Sequence, residues 1–161
     1  MKDQSFPFLT GFALVLLIIH YLQVGCSPAV LPALQKDFPE LFRSPNSTVV
    51  TELTDDLPPQ VKSYKSNNTQ SLGELLIGFF KYYTTFSWDR TISVRVGGTQ
   101  PTPHGRIWSG PYIRLADPTD EGNVTRGVYN LHEFTRIKNA FKSASDQLSQ
   151  TASLHDILKL N

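Results

Sequence analysis

The sequence holds one cysteine, Cys26, in 161 residues, so no intramolecular disulfide can form. No Cys/His grouping has zinc-ligand spacing, and Cys26 reads as a buried free thiol. Neither sign of charge is in excess: 15 Lys plus Arg stand against 14 Asp plus Glu, a formal net charge of +1. A polybasic binder is thereby excluded, and any nucleic-acid contact has to be local. No D-x-D or D-x-E pair occurs, so the simplest two-metal phosphoryl-transfer site is missing. Asp55-Asp56 comes nearest, but without a neighbouring Gly-Ser cradle it reads as a solvated charge pair. Gly97-Gly98 lacks the surroundings of a P-loop, and no nucleophile-elbow sequence singles out a serine. His20, His104, His132 and His155 are scattered, which points to helix or loop positions without catalytic duty.

A long hydrophobic run is also missing, although the N-terminus approaches one. No Asp, Glu, Lys or Arg occurs between Asp3 and Lys36, yet the unbroken apolar stretch is only Phe12 to Ile19 before His20, Tyr21 and Gln23 intervene. A spanning helix wants about 20 predominantly apolar residues. A signal peptide wants a basic start and an uninterrupted apolar stretch, but Asp3 follows Lys2 directly and His20 breaks the run. Sequons at Asn46, Asn67 and Asn123 keep a small membrane-anchored glycoprotein open as a composition-level alternative.

What is present suits one compact domain over 1–161. A helix is expected from about Phe8 to Gln23, apolar on nearly every face, as in the central helix of a core. The proline-punctuated segment PAVLPALQKDFPELF should pack against it as an irregular turn. Residues 43–70, rich in Ser, Thr, Asn, Asp and Pro, read as a variable surface loop. Leu72, Leu75, Leu76, Phe79, Phe80 and Tyr83 fall on one helical face, started by a capping box between Ser71 and Glu74. A strand follows, with Ile92, Val94 and Val96 alternating with Ser93 and Arg95 before Gly97-Gly98, and a second extended piece spans Tyr112 to Leu115. A loop containing Trp108 joins them. A helix from about Leu131 to Leu148 turns Phe134, Ile137, Phe141, Ala144 and Leu148 inward, with Asn130 and Glu133 available as caps. A short last helix begins at Ser153.

One loop is chemically suggestive. Asp117, Asp120, Asn123 and Arg126 lie within ten residues of one another, interrupted by Pro118 and Gly122. A carboxylate accepts from an exocyclic amine, Asn donates and accepts at a base edge, and Arg holds phosphate. The residues alone also fit an ordinary acidic turn that caps the following helix.

Four segments, in order, resemble the cytoplasmic poly(A) polymerases and terminal uridylyltransferases of the DNA polymerase β-like nucleotidyltransferases. LTGFALVLLIIHYLQ resembles that family's L-S-S-Y-x-L-V-L-M-x-I-H-Y-L-Q helix, and SPAVLPALQ its P-P-V-L-P-x-L-Q. SLGELLIGFFKYY followed by FSWDRTISVRVG is similar to the start of its poly(A) polymerase-associated domain. YIRLADPTDEGNVTRGV resembles its nucleotide-recognition motif, I-x-x-E-D/E-P-F-D followed by Asn and Arg.

The resemblance implies a mainly α fold: a helical central domain with a short β element and a nucleotide-recognition loop. By it, Phe12 stands where a Tyr stacks on the incoming base, while Thr10 and Gly11 stand where two Ser residues occur, one of them binding triphosphate. Asp117 and Asp120 match carboxylates that read the base edge, and Asn123 and Arg126 match the motif's Asn and Arg. Uridylyl-specific members carry an extra His just before the Asn; here Gly122 holds that place, the adenine-selecting form. The implied function is base recognition in an RNA 3′ adenylyltransferase (mRNA polyadenylation) that uses ATP, the RNA 3′ end, RNA-binding adaptor proteins and Mg or Mn, in the cytoplasm and without a membrane. The family's Gly-Ser motif and three metal-binding carboxylates precede this region. The chain is therefore expected to be inactive alone, to bind no metal itself, and to expose an apolar face for a catalytic domain or another partner. A non-catalytic interaction protein of the same descent is the alternative.

Overall fold

A computed structural model of the chain describes residues 9–42, 58–120 and 122–151. Thr10 has extended backbone, and its Oγ1 accepts the Ala13 N–H at 3.1 Å, which starts helix α1 (Gly11–His20). The expected helix to Gln23 is shorter as an α-helix, because Tyr21–Gly25 widens into a π-helical turn. Two glycines make room for the Tyr21 side chain: a methyl on Gly25 or on Gly78 would overlap its ring or its hydroxyl. Ala13, Leu16, Leu17 and His20 are buried, whereas Phe12 is 48% and Val15 51% exposed, with Leu14 and Ile18 also exposed. The chain thus covers one face of α1 and leaves the other apolar face open.

The proline-rich stretch is more regular than expected. It forms one-turn helices α2 (Leu34–Asp37) and α3 (Pro39–Phe42), and Asp37 accepts the Ala33 N–H at 2.8 Å. Within the expected 43–70 loop, residues 43–57 lie outside the described residues. The remainder contains the turn α4 (Pro59–Lys62) and is tied back by Ser66 Oγ to Ala29 O and by Asn68 Nδ2 to Pro28 O, both at 2.6 Å.

Helix α5 (Leu72–Thr84) starts with the capping box that its sequence predicts, Ser71 and Glu74 each satisfying the other's backbone N–H. Leu72 departs from the expected face. At 80% exposure, this first helical residue overhangs the core into which Phe79 and Tyr83 reach. Helix α7 (Leu131–Thr151) lies along α5, Phe141 packing on Phe79 and Phe80 while Phe134 meets Trp88, so the two helices run in opposite directions. Asn130 Oδ1 caps α7 through His132 N at 2.8 Å. The expected helix from Ser153 lies outside the described residues.

Strand β1 is limited to Thr91–Ser93 and pairs antiparallel with β2 (Gly98–Gln100), Ile92 opposite Thr99. The expected extension to Val96 fails because the chain turns at once: Gly97 has φ +59°, and a Cβ there would strike Ala33. Val96 is accordingly 40% exposed. The extended 112–116 segment lies on the other side of β1, with Ile92 N donating to Arg114 O at 2.8 Å and Ala116 N to Ile92 O at 2.9 Å. A short helix α6 (Arg106–Ser109) sinks Trp108 into the interior. Mainly helical architecture with a single two-stranded ribbon among the described residues matches the expectation. No helix of the described residues is long and apolar enough to cross a membrane.

A buried polar chain joins α1 to α5. Tyr83 Oη donates to Leu17 O at 2.9 Å and lies 2.8 Å from His20 Nδ1. With its only proton spent on the carbonyl, the phenol accepts from His20, which makes Nδ1 the protonated nitrogen of the ring. Burial holds the His20 imidazole neutral by lowering its pKa to about 4. Tyr83→Phe leaves the Nδ1–H without its acceptor and should cost about 1–3 kcal/mol, measured by urea unfolding at pH 7. Between the ordinary histidine value of 6.5 and about 4, the unfolded chain binds a proton that folded His20 refuses. Stability should therefore fall as pH drops through that window, by on the order of 3 kcal/mol. His20→Gln should flatten that part of the profile.

Candidate functional site

The extended segment that borders β1 runs on into a closed loop. Ala116 bridges Asn123 in antiparallel fashion, Asp117 N donates to Gly122 O at 2.8 Å, and Val124 N donates to Leu115 O at 2.9 Å. At the tip, two carboxylates each hold backbone two residues on, as short Asx turns require. Asp117 Oδ1 accepts Thr119 N at 2.8 Å and Thr119 Oγ1 at 2.6 Å, and Asp120 Oδ1 accepts Gly122 N at 2.7 Å. The Thr119 hydroxyl, with the backbone N–H groups of Thr119 and Asp120, holds the Asp117 carboxyl below the usual range. Asp117 is thus an ionised, acceptor-only group at neutral pH.

Asn123 is fully buried. Its Oδ1 accepts Leu115 N at 3.2 Å, Thr125 N at 3.1 Å and lies 2.9 Å from Thr125 Oγ1, while Nδ2 donates to Ile107 O at 3.1 Å. Every one of these contacts is to this chain, so Asn123 clamps the two limbs of the loop to the α6 region. The sequon at Asn123 is closed to a glycan by the same burial. Arg126 is exposed at the loop's far end, its backbone N–H on Asn123 O at 3.2 Å.

Asp117 lies on an open cleft of about 710 Å³, together with Ala116, Ser93, Trp108, Arg95 and Lys36. Its lining combines one carboxylate, Asp117, with two cationic side chains, Arg95 and Lys36. Such a pairing suits a ligand that combines a hydrogen-bond donor edge with an anionic group. Among the seven residues expected from the sequence, Asp117 alone lines this cleft. Thr10 caps α1, Gly11 and Phe12 occupy its exposed first turn, and Asp120 and Arg126 stand on the exposed loop. The α1 group and the loop group are linked through one core, in which Leu16 and Leu17 join Ile113, Leu115 and Val128. Lys36 and Arg95 were not singled out by the sequence. No signal in the sequence said that Arg95, in the turn after β1, or Lys36, in α2, would share a cleft with Asp117.

Asn123→Ala strips the buried Leu115 and Thr125 N–H groups and the Ile107 carbonyl of their partner. The variant should lose about 3 kcal/mol or more in thermal unfolding, whereas exposed Arg126→Ala should change stability by less than about 0.5 kcal/mol.

Residues 71–123 match the Cid1 family poly A polymerase domain. The chain is 38% identical to poly(A) RNA polymerase GLD2 of Rattus norvegicus over 162 residues, which cover 99% of this chain and 33% of that protein. It is 39% identical over 160 residues to the Homo sapiens GLD2 polymerase, covering 98% of this chain and 32% of that one. A solved GLD-2/RNP-8 complex contains a chain with the same fold, at a TM-score of 0.70 and 31% identity, matching 100% of this chain and 48% of its own length. The chain therefore spans about a third of the length of the curated relatives it matches.

Proposed function

Because this chain carries a poly(A) polymerase-associated domain of the Cid1 family, we propose that it is the nucleotide-recognising portion of an RNA 3′ adenylyltransferase, selecting ATP for mRNA polyadenylation in the cytoplasm. The loop that Asn123 clamps in place, with Asp117 and Asp120 at its tip, carries this reading. An ionised carboxylate accepts from the exocyclic amine of adenine and repels the carbonyl that uracil presents at the corresponding edge. Gly122 precedes Asn123 where uridylyl-selecting relatives are expected to hold a histidine. The exposed ring of Phe12 supplies a stacking face for the base, beside the α1 turn that Thr10 and Gly11 open. Arg126 is free on the surface side of the loop to approach phosphate.

Phosphoryl transfer of this class uses divalent ions, Mg²⁺ or Mn²⁺, held by clustered carboxylates. The residues here do not fit that demand. Asp117 Oδ1 and Asp120 Oδ1 are engaged within their own turns, and no group of three or more His, Cys, Asp or Glu suited to a metal occurs among the described residues. We therefore assign the metal chemistry to the part of the relatives' length that this chain does not span, and regard the chain as inactive alone. That same part, or another protein, would cover the apolar face of α1 formed by Val15 and Ile18. The RNA 3′ end and RNA-binding adaptor proteins complete the set of partners.

The test is equilibrium binding of ATP and UTP to the chain by saturation-transfer NMR. ATP should be preferred, and Asp120→Ala should reduce the preference roughly tenfold. Equal binding of the two nucleotides by the unmodified chain would sink the reading. Incubated with ATP, Mg²⁺ and a short RNA, the chain should add no nucleotides; a product ladder would refute the assignment of catalysis elsewhere.

A further inference from the structure

A second cleft, of about 580 Å³, opens at the end of α5 and is lined by Trp88, Asp89, Tyr112, Arg114, Phe134 and Lys138 among others. None of the seven nucleotide-site residues lines it. Tyr112 and Phe134 stack in parallel, centroids 5.3 Å apart and 15° from coplanar, and Tyr112 remains 37% exposed. Lys138 Nζ lies 5.3 Å over the Phe134 ring. Arg114 lies on the same side of the 112–115 segment as Tyr112, away from the buried Ile113 and Leu115; its Nε donates to Trp108 O at 2.9 Å. Trp88 is 9% exposed, and its indole N–H is buried without a partner among the described residues. Asp89 is the carboxylate of the cleft, kept ionised first by the Ser87 hydroxyl at 2.5 Å, and Arg114 with Lys138 outweighs it.

We propose that this cleft binds one nucleotide of the RNA strand, its base on the open Tyr112 face and its phosphodiester against Arg114 and Lys138. A flat aromatic pair beside cations is what sequence-tolerant binding of single strands needs. An acidic peptide would use the cations alone and leave the stacked rings without a purpose. The inference rests on the polymerase reading only for the identity of the strand.

Fluorescence anisotropy of the chain with a labelled oligoadenylate of about ten nucleotides tests it. Tyr112→Ala and Lys138→Gln should each weaken binding roughly tenfold, and Lys138→Gln should also lower the slope of log affinity against log salt by about 0.7. Lys138 is exposed, so its exchange leaves the fold intact, as circular dichroism would verify. Unchanged affinity in Lys138→Gln, at unchanged slope, overturns the proposal. So does a glutamate-rich peptide that binds more tightly than the oligonucleotide and is lost in the same variants, because the cleft would then belong to a protein partner. If ATP preference proves absent while these effects appear, the adenylate reading fails and this site stands; the converse result removes this site alone.

Discussion

The Tyr83 side chain sits where α1, α5 and α7 come together, fully buried with its ring in contact with those of His20, Phe79, Phe86, Trp88 and Phe141. By donating to Leu17 O and accepting from His20 Nδ1, its hydroxyl fixes the rotation of α1 about its own axis. That rotation decides which α1 residues face the core and which remain outside. Phe12, Val15 and Ile18 are left exposed because His20 and Leu17 have been drawn in. A phenylalanine could fill the volume at position 83, but it could not choose the rotation, since ring packing has little directional preference compared with two hydrogen bonds.

From this hub the order passes outward by backbone pairing. Ile92 of β1 is buried within the same core and hydrogen-bonds on both sides of its own peptide to the 112–116 segment. That segment is thereby held in register, and Asn123 closes the loop that grows from it. The two carboxylates at the tip have little packing of their own. Their positions are set by short Asx turns and by the buried amide behind them, an arrangement that ties down an exposed loop without burying its carboxylates. The division of labour within the four polar residues follows from depth: Asn123 is enclosed and spends its hydrogen bonds internally, whereas Asp120 and Arg126 remain at the surface.

Both clefts lie against the extended 112–117 segment, one reached by Asp117 and the other by Tyr112 and Arg114. Alternation along that segment sends Ile113 and Leu115 into the core and leaves Tyr112 and Arg114 on the outer side. A nucleotide at one end and a strand at the other would thus be read by one short stretch of chain whose inner face is locked in the interior.

Local physics made much of this legible in the residues themselves. The Ser71–Glu74 box and the spacing of Phe79 and Tyr83 specify α5, the inward positions of α7 specify its buried stripe, and the loop's polar cluster stands out by spacing between Pro118 and Gly122. Where the sequence misled, the deciding contact was remote: Leu72 has the right period but nothing above it to pack on, and β1 stops short because Gly97 must turn against Ala33. The second strand, Gly98–Gln100, has no apolar alternation to announce it and exists because β1 offers a pairing edge. The sequence by itself determined α5 and α7, their caps and the set of chemically capable loop residues, since these depend on neighbours within a turn or two. Only the tertiary structure decided that Asn123 would be a clamp, that Lys36 and Arg95 would share a cleft with Asp117, and that half of α1 would stay uncovered, because burial and the meeting of distant segments are properties of packing rather than of order along the chain.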